Sequence, residues 1–158
     1  MSDYDPYADA ERRGFELIRV DLPDDYRAVT DLKGNIWLDK SQQQREERSA
    51  LAHEIAHYDV ASGAFQGASL EAEVNRIAAE RLIDFDELVS AAKWADSIEE
   101  MAEELHVDDD LVRARISGLT GAEAKSFQYQ AGRVHYSMGR HTSLRRRKRL
   151  GGREPLPW

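Results

Sequence analysis

The chain has 158 residues, a formal net charge of -8 and 41% hydrophobic residues, which is enough to bury one moderate core, so a single domain is the default expectation. Because it contains no cysteine, disulfide bonds and thiolate metal sites are excluded. The acidic N-terminus has no apolar stretch, and no segment reaches the ~18 apolar residues that a membrane-spanning helix needs, so we expect a cytoplasmic protein without a membrane anchor.

The first third of the chain is predicted to form a small antiparallel sheet. Residues 15–22 have the β-branched and aromatic content of a strand. Residues 26–30 and 35–39 flank a turn-rich segment that contains Gly34, and they predict a hairpin whose second strand leads into a helix. An edge strand of this kind could hold an extended peptide by main-chain hydrogen bonds, although a hairpin that only covers the core fits the pattern equally well.

The helix predicted at residues 42–62 carries the most informative pattern in the chain. No glycine or proline interrupts this run, and Gly63 stands where a helix would end. His53 and His57 are four residues apart and therefore lie nearly in line, so both imidazoles can reach one Zn²⁺ ion while Glu54 points at a water molecule bound to it. Neutral imidazole is a good zinc ligand, and a glutamate can accept the proton of a water whose pKa the metal lowers toward ~7.

The alternative interpretation of these three residues is two core or surface histidines beside a solvated glutamate. The pattern asks for only three fixed residues, but a chain this short contains it by chance with odds of roughly a few per thousand. Its helical context lowers those odds further. We therefore interpret the motif as a metal site with its own general base.

Every segment after Gly67 is predicted to be helical. The predicted helices cover residues 70–83, 85–95, 98–105, 109–117 and 121–138. Together with the N-terminal strands they predict an α+β fold that is mostly α, with the small sheet packed on a helical bundle. We expect one domain over residues 1–139.

A catalytic zinc normally takes a third protein ligand. The extended three-histidine pattern is absent, because Val60 and Gly63 occupy the positions of its glycine and third histidine. On the next predicted helix, Glu71 shares a face with apolar residues, whereas Glu73 lies on the polar side, so Glu71 is the better candidate ligand. Asn75, one turn further on, could hydrogen-bond a ligating histidine, or it is a buried amide with no role at the metal.

Residues 140–158 form a basic tail. They hold seven Arg or Lys and one Glu, a net charge of +6, whereas the preceding 139 residues carry a net charge of -14. The run at residues 145–149 could contact nucleic acid or an acidic partner, and the alternative is a solvated terminus.

From about residue 26 to residue 120 the chain resembles the ImmA/IrrE-type zinc metallopeptidases of bacteria, phages and integrative elements. The resemblance rests on residues 48–57, which read Arg-Ser-Ala-Leu-Ala-His-Glu-Ile-Ala-His, and on residues 71–83, which look like the family's second helix with its Glu-x-x-Ala-Asn/Asp pattern. The departures from that pattern are Val74 for alanine, Ile77 for phenylalanine, Arg81 for leucine and Asp84 for proline. The resemblance implies a zincin-like minimal metallopeptidase.

By the same match, His53, His57 and Glu71 would be the zinc ligands and Glu54 the general base, with Mn²⁺ as the alternative metal. Members of the family cut helix-turn-helix repressors, so the resemblance implies a repressor of a phage or mobile element as the protein substrate. Residues 97–118 look like the family's own helix-turn-helix-like segment. Because that segment is rich in carboxylates, it is a poor match for DNA phosphate and is interpreted as a packing or partner surface.

The mechanism that these expectations imply is metal-assisted peptide hydrolysis. It would need a donor to the developing oxyanion, for which His135, Tyr136 and His141 are candidates, each with an ordinary surface or core role as the alternative. The rival function is a non-catalytic, metal-containing regulator that binds a repressor, a toxin or DNA stoichiometrically. An intact base at Glu54 favours catalysis, because a protein that only binds has no need of it.

Overall fold

A computed structural model describes residues 2–23, 25–61 and 68–131 of the chain. The elements in chain order are α1 (Pro6–Arg12), β1 (Glu16–Val20), β2 (Ala28–Thr30), β3 (Asn35–Asp39), α2 (Gln44–Val60), α3 (Ala68–Leu82), α4 (Phe85–Trp94), α5 (Ile98–Glu104), α6 (Asp109–Ser117) and α7 (Gly121–Ala131). The predicted α+β, mostly α fold is confirmed. Within the described ranges, no helix is both long and apolar enough to cross a membrane.

The three strands form one mixed sheet in the order β1-β3-β2. Strands β2 and β3 make the predicted antiparallel hairpin, but β1 pairs with β3 in parallel, so the prediction of a wholly antiparallel sheet is wrong. The reason is that the β2–β3 hairpin leaves the other side of β3 open, and β1 pairs there, which makes β3 the central strand. Strands β1 and β2, which are neighbours in sequence, are therefore separated in the sheet by β3.

Helix α2 lies between the two cores of the molecule. Toward the sheet it contributes Leu51 and Ile55, which cluster with Ile36 and Leu38. Toward the other helices it contributes three small or medium residues, Ala52, Ala56 and Val60. Because apolar burial is the main stabilising term in folding, a helix buried on both sides is held firmly in place, which suits an element that must carry a site.

Burial of Leu51 predicts that the free energy of unfolding is more sensitive to its replacement than to that of an exposed leucine. Leu51 is 0% exposed, so Leu51→Ala is expected to lower the free energy of unfolding by about 2–5 kcal/mol, through lost transfer energy and an unfilled cavity. The matched control, Leu32→Ala, removes the same atoms from a side chain that is 48% exposed and is expected to change it by less than about 0.5 kcal/mol. Urea unfolding of the two variants measures both values, and equal losses would contradict this description of the core.

The turn between α5 and α6 is bound to the first half of α2 by hydrogen bonds to main-chain atoms. Arg48 donates to the carbonyl of His106 at 3.1 Å, and the buried Ser49 hydroxyl accepts from the N–H of Asp108 at 2.9 Å. His106 takes a left-handed conformation, with φ at 52°, to make this turn. The segment that resembles a helix-turn-helix therefore uses its turn to pack against the motif helix.

Candidate metal centre

Two histidines of α2 bring their ring nitrogens together at the surface that meets α3. His53 and His57 are one helical turn apart, and their Nε2 atoms are 3.1 Å from each other. The side chain of His53 is almost completely buried and that of His57 is largely so. The predicted i, i+4 geometry is therefore present, with both imidazoles turned to one point.

The third member of the cluster comes from the beginning of α3. One carboxylate oxygen of Glu71 lies 3.4 Å from Nε2 of His53, and the other lies 3.5 Å from Nε2 of His57. The ligand atoms of these three residues all lie within 4.8 Å of one another, as donors to a single metal ion must. The Glu71 side chain is 36% exposed, so the cluster is closed on the histidine side and open to solvent on the glutamate side.

These spacings fit a small tetrahedral ion. With metal–ligand bonds of about 2.0–2.2 Å, tetrahedral geometry puts neighbouring ligand atoms roughly 3.3–3.5 Å apart. The three distances found here, 3.1, 3.4 and 3.5 Å, are close to the edges of such a tetrahedron. Two imidazole nitrogens and one carboxylate could thus hold a divalent ion and leave a fourth position toward solvent.

Asn75 reaches the site from α3, one turn after Glu71. Its Oδ1 lies 2.9 Å from Nδ1 of His53. An amide oxygen can only accept a hydrogen bond, so Nδ1 of His53 must carry the proton, which leaves the lone pair of its Nε2 directed into the cluster. The contact therefore selects the tautomer of His53 that can bind a metal through Nε2.

Glu54 and Glu73 occupy contrasting positions beside the cluster. Glu54, next to His53 on α2, is only 5% exposed, so its carboxylate is held inside the protein rather than in bulk water. Glu73 faces away from the histidines and bonds the guanidinium of Arg76 through both oxygens, at 2.6 and 2.9 Å. The structure thus brings Glu71, and not Glu73, to the histidines.

The remaining predicted residues lie outside the described part of the chain. These are the possible oxyanion donors His135, Tyr136 and His141 and the basic run at residues 145–149. Their roles stay predictions.

Tyr58 is a neighbour of the site that sequence reasoning missed. Its hydroxyl accepts from the main-chain N–H of Gly34 at 2.8 Å and is hydrogen-bonded to the hydroxyl of Thr30 at 2.9 Å. Its ring stacks on Phe15, with ring centroids 4.2 Å apart. Tyr58 thereby holds the β2–β3 turn against α2 directly beside His57. An aromatic residue next to the second histidine was the only signal in the sequence, and it does not reveal partners more than 20 residues away.

Comparison with known proteins agrees with this geometry. The model of the peptidase M78 family, described as the IrrE N-terminal-like domain, matches residues 10–117, which is more than half of the chain and includes every member of the cluster. No curated protein and no solved structure shows a significant match. The family supports a metallopeptidase-type function and implies a protein substrate, as the resemblance to ImmA/IrrE-type enzymes predicted. The chain belongs to the peptidase M78 family of IrrE N-terminal-like domains.

Proposed function

We propose that the chain is a zinc-dependent endopeptidase in which His53, His57 and Glu71 hold the metal and Glu54 is the general base. The observation that carries this proposal is the near-tetrahedral spacing of two imidazole nitrogens and a carboxylate contributed by two helices. Zinc is favoured over manganese because two imidazoles, one carboxylate and a tetrahedral arrangement match its preferences, whereas manganese favours six oxygen-rich positions.

The residues of the site have different roles in peptide hydrolysis. His53, His57 and Glu71 would hold a divalent ion, which would supply Lewis acidity to the scissile carbonyl and to the attacking water. Glu54 takes the proton from that water and passes it to the leaving amine. Burial of Glu54 keeps its carboxylate close to the reacting atoms and away from competing solvent. His135, Tyr136 and His141 remain candidates for the donor to the oxyanion, each with an ordinary surface or core role as the alternative.

Strand β2 supports a peptide as the substrate, because it is an edge strand of the sheet in the part of the chain that the structure describes. The carbonyl of Arg27 accepts from the N–H of Asp39, and the N–H of Asp31 donates to the carbonyl of Asn35. Residues 27, 29 and 31 are therefore the ones whose main-chain groups bond β3. The polar main-chain groups of Ala28 and Thr30 therefore point away from the sheet. An extended peptide could pair with this edge by main-chain hydrogen bonds, as in other cases of strand addition.

Asn75 is proposed to orient His53 for metal binding. Asn75→Ala is expected to lower zinc affinity by about 10–100-fold, because His53 loses the acceptor that fixes its tautomer and ring orientation. Asn75→Asp keeps an acceptor oxygen and is expected to bind zinc nearly as tightly as the wild type. Competition with a chromophoric chelator measures both affinities, and an alanine variant with wild-type affinity would disprove this role.

The substrate that we propose is a helix-turn-helix repressor of the phage or mobile-element type, on the strength of the family. A small repressor encoded beside this chain is the first one to test. We expect two fragments by mass spectrometry when the purified repressor is incubated with the zinc-loaded protein, and none with a chelator or with Glu54→Gln. Release of the repressor from DNA without any fragment would instead favour the stoichiometric regulator.

A further inference from the structure

Asp59, two residues after His57 on α2, joins three helices through one carboxylate. Its Oδ1 accepts from Nη1 of Arg13, directly after α1, at 2.7 Å, and its Oδ2 accepts from Nη2 of Arg81 on α3 at 2.7 Å. Arg13 also bonds the buried Asp9 of α1 at 3.0 Å. The guanidinium of Arg81 lies over the ring of Tyr4, 5.7 Å from its centroid. Two arginines from different parts of the chain thus meet at one residue of the motif helix.

This network is only partly shielded from water. The side chains of Arg13, Asp59 and Arg81 are each 28–30% exposed, so water screens their attraction and reduces its contribution to folding. Although partial burial by itself would raise the pKa of Asp59, hydrogen bonds from Arg13 and Arg81 hold it below its usual value. The larger consequence is geometric, because the carboxylate bonds both Arg13, next to α1, and Arg81 of α3.

The metal cluster depends on how α3 lies across α2. His53 and His57 belong to the same helix, so their separation is set by helical geometry, but Glu71 is placed by α3. Helix α2 brings only small or medium residues to the common core, Ala52, Ala56 and Val60, whereas α3 brings Ala78 and Ala79 beside larger residues, which are Leu70, Val74 and Leu82. Alanine ridges are shallow and resist sliding and rotation less than larger side chains do. On the α2 side of this packing, polar contacts therefore add to the alignment that apolar burial gives.

Two hydrogen-bonded points define the direction of α3 against α2. One is the contact of Asn75 with His53, and the other is the contact of Arg81 with Asp59, about 9 Å further along the helix. Glu71 lies about 6 Å on the other side of Asn75. If α3 rotates about Asn75, a displacement of about 1 Å at Arg81 moves Glu71 by about 0.7 Å. Metal–ligand distances tolerate a change of only about 0.2 Å.

We propose that Asp59 is a positioning residue that aligns Glu71 with His53 and His57 by tying α2 to Arg81 of α3. This inference rests on the proposed metal site, which it extends to a residue that touches neither metal nor substrate. It requires that Asp59 and Arg81 act through each other, and that their loss changes the geometry at the metal more than it changes the stability of the fold.

The test uses Co²⁺ as the probe, because its visible absorption reports coordination geometry as well as occupancy. The full-length chain and its Asp59→Asn and Arg81→Gln variants are titrated with Co²⁺, and their unfolding midpoints are measured in urea. We expect each variant to bind Co²⁺ about 10-fold more weakly with a changed spectrum. The double variant is expected to be no worse than either single one, since both remove the same contact.

Glu80→Gln is the matched control, because it removes another carboxylate–arginine pair of α3, that of Glu80 with Arg76, on an exposed face. It is expected to keep the wild-type Co²⁺ affinity and spectrum. Wild-type affinity and spectrum in both Asp59→Asn and Arg81→Gln would overturn the inference, as would an equal loss of affinity in the control. Should Asp59→Asn fail to fold, Arg81→Gln decides the question alone, because it keeps the pair of Asp59 with Arg13. A wild-type chain that takes up no Co²⁺ would overturn the proposed metal site, and the inference with it.

Discussion

Replacement of Glu54 by glutamine is expected to lower kcat for peptide hydrolysis by about 10²–10⁴-fold, the range of a lost general base. Glutamine has nearly the same shape as glutamate but cannot accept the proton of the attacking water. Because Glu54 is not proposed as a ligand, the variant should keep one equivalent of zinc. Fragment formation from the repressor, followed over time at saturating zinc, measures the effect.

Glu47→Gln is the matched control for this experiment. Glu47 lies on the same helix, two turns before Glu54, and its carboxylate bonds Arg19 and Tyr7 rather than the metal cluster. Its replacement should leave kcat within a factor of about two, since its partner Arg19 is half exposed and such ion pairs contribute little. A Glu54→Gln variant that cuts at the full rate would remove Glu54 from the mechanism.

Replacement of Glu71 by glutamine is expected to weaken zinc binding by at least about 100-fold, because groups that merely orient a ligand are already worth about 10–100-fold. Activity at limiting zinc should fall in proportion. Glu73→Gln changes the same helix in the same way only two residues later, but Glu73 bonds Arg76 on the outer face. It should bind zinc like the wild type.

Titration of both variants with zinc in competition with a chelator gives the two affinities. The opposite ranking, in which Glu73→Gln binds zinc weakly and Glu71→Gln binds it like the wild type, would show that Glu73, and not Glu71, lies on the face of α3 that meets the histidines. Equal affinities for the two variants would exclude Glu71 as a ligand.

The parts of the fold that the sequence predicts are those set by local periodicity. His53 and His57 are close because four residues make about one helical turn, and this holds wherever α2 lies in the molecule. Glu71 was preferred over Glu73 because only Glu71 shares a face with apolar residues, and that face is the one that packs against α2. In both cases the spacing along one helix contained the required information.

The parts that sequence reasoning missed depend on contacts between distant elements. Strand composition indicates three strands, but the parallel pairing of β1 with β3 is a contact between separate segments, which local pattern does not show. Asp59 is an ordinary polar residue near the end of a helix. Its partners are 46 and 22 residues away, and only the packing of α1 and α3 on α2 brings them together.

The central claim is that one metal ion is held by His53, His57 and Glu71. Anomalous diffraction at the zinc absorption edge, from crystals grown with one equivalent of zinc, tests it most directly. We predict a single strong peak about 2.0–2.2 Å from Nε2 of both histidines and from a carboxylate oxygen of Glu71. A protein that binds zinc at one equivalent but shows its peak away from these three side chains would contradict the claim.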